Sequence, residues 1–188
     1  MNKNTLILNL FGGPGTGKST CGAYVFSKLK MLGVDCELIT EFAKDVTWEG
    51  RTKALNHQIY ITGKQSFKIG RCFGQVDVII TDSPILTGVA FTDPKRKYLK
   101  GLIVEEFIQY GENNLNIFLE RVHDYNPNGR NQTEEEARSV DEKLLDAFEI
   151  GNYTEGLGDK IPYMRIPATE TGYDKIVELV MNKINHNQ

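Results

Sequence analysis

The sequence predicts an α/β fold with a mainly parallel sheet and right-handed crossovers, and three observations carry that expectation. Short apolar runs rich in strand formers alternate with longer stretches of helical periodicity. The first run passes directly into a glycine-rich turn and a helix, the opening of a βαβ unit. No repeat, low-complexity tract or Pro/Ser linker divides the 188 residues, and 40% hydrophobic residues suffice for one core, so a single domain over 1–188 is expected.

Taken in order, residues 5–11 form a nearly continuous apolar run, as suits a parallel strand buried on both faces. From 18 to 32 apolar residues recur at helical spacing through Tyr24, Val25, Leu29 and Leu32, and Gly33 closes the helix. Further strands are expected at 36–40, 76–81, 115–122 and 161–166. Helices are expected at 52–73, 94–110, 134–150 and 171–184, with Pro94 placed in a first turn. A polar stretch at about 123–133 holds the turn formers Asn126, Pro127, Asn128 and Gly129, and a loop of that length inside one domain is usually functional.

Residues 12–19 satisfy G-x-x-x-x-G-K-[ST] between a predicted strand and a predicted helix, the context the motif requires. Such a loop turns its N–H groups inward around phosphates, and the helix N-terminus adds partial positive charge. Gly13, Gly15, Thr16, Gly17, Lys18, Ser19 and Thr20 are the candidate ATP contacts. Lys18 would reach the β- and γ-phosphates, and the Ser19 hydroxyl would ligate Mg²⁺. Asp82 ends the third predicted strand, where open α/β sheets bind ligands, and is expected beside the metal; the alternative is a cap for the turn through Ser83 and Pro84. Glu41 and Asp45 follow the second strand as candidate bases, with Glu41 nearer the strand end and helix capping as the alternative for both. Arg121, Arg130 and Arg138 flank the polar stretch; Arg121 is a further candidate ATP contact, and Arg130 is the best placed to close over a transferred phosphoryl group. For Arg121 and Arg138 a strand-end surface charge and a helix salt bridge are equally open.

Net charge is −3, which argues against coating nucleic acid through overall charge. Between Glu49 and Asp77, however, Arg51, Lys53, Lys64, Lys68 and Arg71 occur with Tyr60, Phe67 and Phe73 and no acidic residue. That segment suits backbone phosphates and base stacking, or equally a solvated helix face over core aromatics; Trp48 beside it suits a base platform or the core. Cys21, Cys36 and Cys72 form no C-x-x-C pair, and His57, His123 and His186 show no metal spacing. The N-terminal apolar run is too short to span a membrane and ends in glycines, so no membrane partner and a cytoplasmic location are expected.

The 12–19 loop, Glu41 with Phe42, Ala43 and Lys44, Asp82 with Ser83 and Pro84, and residues 125–130 together resemble the thymidylate-kinase-like group of P-loop nucleoside and nucleotide kinases, including phage-encoded members. The resemblance implies a P-loop three-layer sandwich with a five-stranded parallel sheet in order 2-3-1-4-5, an arginine-bearing lid, Mg-ATP as phosphoryl donor, and adenine near Pro167, Ala168 and Thr169. Residues 41–44 are also similar to nicotinamide riboside kinases. Where housekeeping thymidylate kinases carry an aspartate-arginine pair this chain has Asp82 and Ser83, which turns the expectation away from thymidylate. One phage subfamily phosphorylates 5-hydroxymethyldeoxyuridine in DNA during thymidine hypermodification; the basic segment suits that acceptor, which is slightly preferred on the sequence and would place the enzyme in host cytoplasm. A free nucleoside or nucleotide acceptor, nicotinamide riboside, a non-catalytic nucleotide switch and a homodimer are left open.

Overall fold

The protein is described here by a computed structural model, which covers residues 3–122, 133–154, 156 and 158–186. The expected lid, apart from Thr133, and with it Arg130, lies outside the described residues. In chain order the elements are β1 (Leu6–Phe11), α1 (Lys18–Met31), β2 (Cys36–Ile39), α2 (Phe42–Trp48), α3 (Thr52–Leu55), α4 (Gln58–Gly70), β3 (Val78–Thr81), α5 (Thr87–Phe91), α6 (Lys97–Ile108), β4 (Asn114–Glu120), α7 (Glu134–Ala147), β5 (Met164–Pro167) and α8 (Glu170–His186). The five strands pair in parallel as β2-β3-β1-β4-β5, the expected order.

Every residue of β1 is buried, because the strand is central and covered by helices on both sides. The strand period of two splits the core. Leu6, Leu8 and Leu10 pack with Cys21, Val25 and Leu29 of α1 and with Ile176 and Val180 of α8. Ile7 and Phe11 face the other way, onto Ile69, Val89, Ile103, Phe107, Leu144 and Phe148 from the α4–α7 side. On that second side Asn9 interrupts the apolar pattern. Its Nδ2 donates to Asn114 Oδ1 at 2.8 Å and Asn116 Oδ1 at 3.0 Å, and Asn116 donates to the Pro162 carbonyl at 3.0 Å, so this buried polar ladder is satisfied across three segments.

Local chemistry sets the helix ends. Gly33, at φ +79°, terminates α1 through Gly33 N–H to Lys30 O and Val34 N–H to Leu29 O, both 3.0 Å. The start of α7 is a capping box: Glu136 N–H donates to Thr133 Oγ1 at 3.2 Å, and Thr133 N–H to Glu136 Oε2 at 2.7 Å.

Several expected boundaries are corrected. The helix expected over 52–73 is two helices, broken at Asn56 and His57; α3 buries no residue fully, so little packing energy favours one continuous rod. Short α2 and α5 were not expected, since each is shorter than the window of about 11–18 residues over which helical periodicity is read. Pro94 stands before α6 rather than in its first turn: Asp93 caps a separate turn, accepting from Lys95 N–H at 2.9 Å through its side chain and from Arg96 N–H at 2.9 Å through its carbonyl. The last strand begins at Met164 rather than 161, as Pro162 has no N–H for the ladder. β4 stops at Glu120, where Arg121 turns towards the glycine-rich loop.

Candidate active site

The glycine-rich loop leaves the C-terminal end of β1 and feeds α1, so its amides open on the crevice at the strand ends. Gly17 has φ +86°, a left-handed conformation that L side chains rarely adopt, and a Cβ there would stand 2.9 Å from Tyr173 Oη. The same imaginary Cβ lies 3.6 Å from Ala168 Cβ, so the turn after β5 packs against the end of the loop. Ala168 is itself buried, with its N–H on Glu120 O at 3.0 Å. Thr16 is buried and ties the loop to itself, its Oγ1 donating to Gly13 O at 2.9 Å. Gly15 has φ +82°, and Thr20 is exposed in the first turn of α1.

Lys18 folds back along the loop, with Nζ donating to Gly12 O at 2.5 Å and Gly13 O at 2.9 Å. Burial lowers its pKa, while the nearby Glu41, Asp82 and Asp141 carboxylates oppose that shift and Arg121 adds to it. Ser19 Oγ donates to Asp82 Oδ2 at 2.7 Å. Asp82 is only 7% exposed, and its Oδ1 is buried with no hydrogen-bond partner among the described residues. A buried carboxylate oxygen without a partner is costly, and a hydroxyl and a carboxylate side by side are hard oxygen donors. Mg²⁺ therefore fits this pair. Among the described residues no group of three or more His, Cys, Asp or Glu could hold a metal, so such an ion would complete its shell with phosphate oxygens and water.

Glu41 leads from β2 into α2 and is half-buried. Its pKa is raised, chiefly by burial, with Lys18 pulling it down and Asp82 pushing it up. Asp45, the other candidate base, is exposed and pairs with Lys68 at 3.1 Å, one turn further from the sheet. Gln65 was missed in the sequence. It is buried on the core face of α4, with Oε1 accepting from Phe42 N–H at 3.1 Å and Nε2 donating to Thr81 Oγ1 at 3.3 Å. It thereby ties the residue after Glu41 to the residue before Asp82. The available signal was spacing, since Ile61, Gln65 and Ile69 lie four apart on one face.

The structure thus gathers Lys18, Ser19, Glu41 and Asp82 at the ends of β1, β2 and β3. Arg121 joins them from β4, with Nη1 donating to Pro14 O at 2.7 Å and Nη2 to Asp141 Oδ2 at 3.1 Å. Its side chain is 8% exposed, so it is not a strand-end surface charge. Arg138 is exposed on α7. The basic segment is partly neutralised locally: Arg51 pairs with Glu49 and Lys68 with Asp45, while Lys64 lies over the Tyr60 ring at 5.9 Å. Trp48 is 81% exposed and is not core. All three cysteines are free; burial pushes the Cys21 thiol up to about 12. No described helix is long and apolar enough to cross a membrane.

A phosphate-cradling loop at the head of a parallel sheet in this order, with a hydroxyl and a carboxylate beside it, defines the P-loop class of α/β nucleotide-binding folds. Within that class the chain belongs to the AAA-domain family, whose model matches residues 8–155. No curated protein matches the sequence. Among solved structures it is similar to deoxyadenosine kinase from M. mycoides with bound dCTP, at TM-score 0.54 and 18% identity over 96% of this chain and 100% of that one. The same enzyme with products dCMP and a flexible dCDP bound gives TM-score 0.51 at 18% identity, with the same coverage. The likeness places the fold among P-loop kinase folds.

Proposed function

We propose that this chain is a Mg-ATP-dependent kinase that phosphorylates a hydroxyl of a nucleoside- or nucleotide-type acceptor. The observation that carries the reading is the convergence of Lys18, the Ser19–Asp82 pair with its unpartnered Oδ1, and a half-buried Glu41 at three adjacent strand ends. Loop amides and Lys18 hold the donor's phosphates, and Ser19 with Asp82 would hold Mg²⁺, which when bound offsets charge on those phosphates. Glu41 receives the proton of the acceptor hydroxyl as its oxygen bonds to the γ-phosphorus and the bond from that phosphorus to the bridging oxygen breaks, leaving ADP. Burial suits Glu41 to this role, because a raised pKa makes the carboxylate a better proton acceptor. Asp45, held by Lys68, is less suited. Ala168 lines the adenine end of the donor site in this reading, beside Gly17. Arg130 is proposed from the sequence alone as the group that neutralises the transferred phosphoryl.

For the acceptor, local pairing of Arg51 and Lys68 favours a free nucleoside or nucleotide, and a deoxynucleoside, the substrate type in the name of the similar kinase, is the first to test. A second reading, the hydroxymethyl group of 5-hydroxymethyldeoxyuridine in DNA, is favoured by exposed Trp48 and Phe67 near Lys53 and Lys64 in sequence, groups able to stack on a splayed base and meet phosphates. The test is transfer of labelled γ-phosphate to deoxynucleosides, nucleosides, mononucleotides, nicotinamide riboside, and plain or hydroxymethylated DNA, over a salt series. A small acceptor gives a shallow salt dependence. A DNA acceptor gives a steep one, made shallower when Lys64 and Lys68 are both replaced by Ser. ATP binding without transfer to any of these acceptors would leave a nucleotide switch instead.

A further inference from the structure

Two charged groups that the phosphoryl-transfer reading leaves without a task stand against the outer turn of the phosphate-binding loop. Asp141, on α7, accepts a hydrogen bond from Gly13 N–H through Oδ1 at 2.5 Å. Its Oδ2 pairs with Arg121 Nη2 at 3.1 Å, and Arg121 Nη1 donates to Pro14 O at 2.7 Å. These contacts close a ring of loop backbone, helix carboxylate and guanidinium. The side chains are 8% and 20% exposed, so the ring works in a weakened dielectric where charge-assisted hydrogen bonds are strong. The fit is tight: a Cβ on Gly13 would stand 2.5 Å from Ala137 O and 2.7 Å from Asp141 Oδ1, so α7 lies directly on the loop.

We propose that Asp141 and Arg121 are one positioning unit for nucleotide binding, which fixes Gly13 and Pro14 so that the amides of residues 15–19 are preorganised for the donor's phosphates. The proposal rests on the reading of this loop as the ATP site. Asp141 places a negative charge beside an anion-binding loop, an arrangement that would repel phosphate if it were not neutralised. Arg121 neutralises it and bonds the loop as well, so the pair contributes geometry at little net charge. The two members therefore depend on each other, and each single loss is expected to remove the whole effect.

The test is equilibrium Mg-ATP binding to the full chain, with melting temperature recorded for every variant. Asp141→Ala and Arg121→Ala are each expected to weaken Mg-ATP by about ten- to a hundredfold, as for loss of a charge-assisted hydrogen bond, and the double variant no further. Asp141→Asn keeps an acceptor for Gly13 N–H and should recover part of the affinity. Leu144→Ala, in the core on the same helix, controls for general loosening of α7: it should lower the melting temperature at least as much while leaving the affinity near wild type. Wild-type affinity in Asp141→Ala, losses that add in the double variant, or equal loss in Leu144→Ala would overturn the proposal. Failure of the wild-type chain to bind Mg-ATP would instead overturn the reading of the site.

Discussion

Replacing Asp82 by Asn tests the metal assignment most directly. Asp82 Oδ2 accepts from Ser19 at 2.7 Å, and Oδ1 has no partner among the described residues. The amide can keep the Ser19 contact while exchanging one unpartnered atom for another, so ligand-free stability should change by about 1 kcal/mol, or about 2–4 °C in a chain of 188 residues. The effect belongs to the liganded state. At Mg-ATP about a hundredfold above its Kd, wild type gains about 2.7 kcal/mol, which appears as a rise of about 5–10 °C. With ATP and a chelator the rise should be smaller, since charge on the phosphates is then offset by protein alone. Asp82→Asn should show the chelated rise whether or not Mg²⁺ is present, and its phosphoryl transfer should fall by about two or more orders of magnitude. The assay is thermal unfolding of both proteins with ATP, with and without Mg²⁺, beside a transfer assay. A variant that keeps the full Mg²⁺-dependent increment would refute the reasoning, as would a wild-type shift indifferent to chelation.

Glu41→Gln should lose about two to four orders of magnitude in kcat yet unfold at a higher temperature than wild type at neutral pH. The sign follows from the raised folded pKa: the ionised carboxylate destabilises the fold above that pKa, and the difference disappears below the ordinary value of 4.5, so melting curves from pH 4 to 8 should converge at the acid end. An unchanged or lower melting temperature at neutral pH would contradict the burial argument. Gly17→Ala should lower stability by about 1–2 kcal/mol through its left-handed backbone, and more through contact with Tyr173, and should weaken Mg-ATP binding; normal binding by isothermal titration would count against the loop geometry.

Much of this fold is legible in the residues because local physics sets it. The apolar run of β1, the 12–19 loop and the Gly33 terminator are contiguous signals, and each stands where the sequence places it. Short α2 and α5, the break at Asn56 and the late start of β5 were not legible, since they depend on packing or on a missing N–H rather than on periodicity. At the candidate site, the sequence by itself determined which chemistry is present: a phosphate loop with Lys18 and Ser19, and carboxylates at strand ends. Only the tertiary structure decided which groups meet. It separated Glu41 from Asp45 by burial and by the Lys68 pair, joined Asp82 to Ser19 across 63 positions, and tied Gln65 to Phe42 and Thr81, the neighbours of the two acidic residues. It also drew Arg121 and Asp141 onto the loop, across 107 positions to Pro14 and 128 to Gly13. Such meetings follow from strand order and from the side of the sheet to which each helix returns, and no local pattern of residues encodes them.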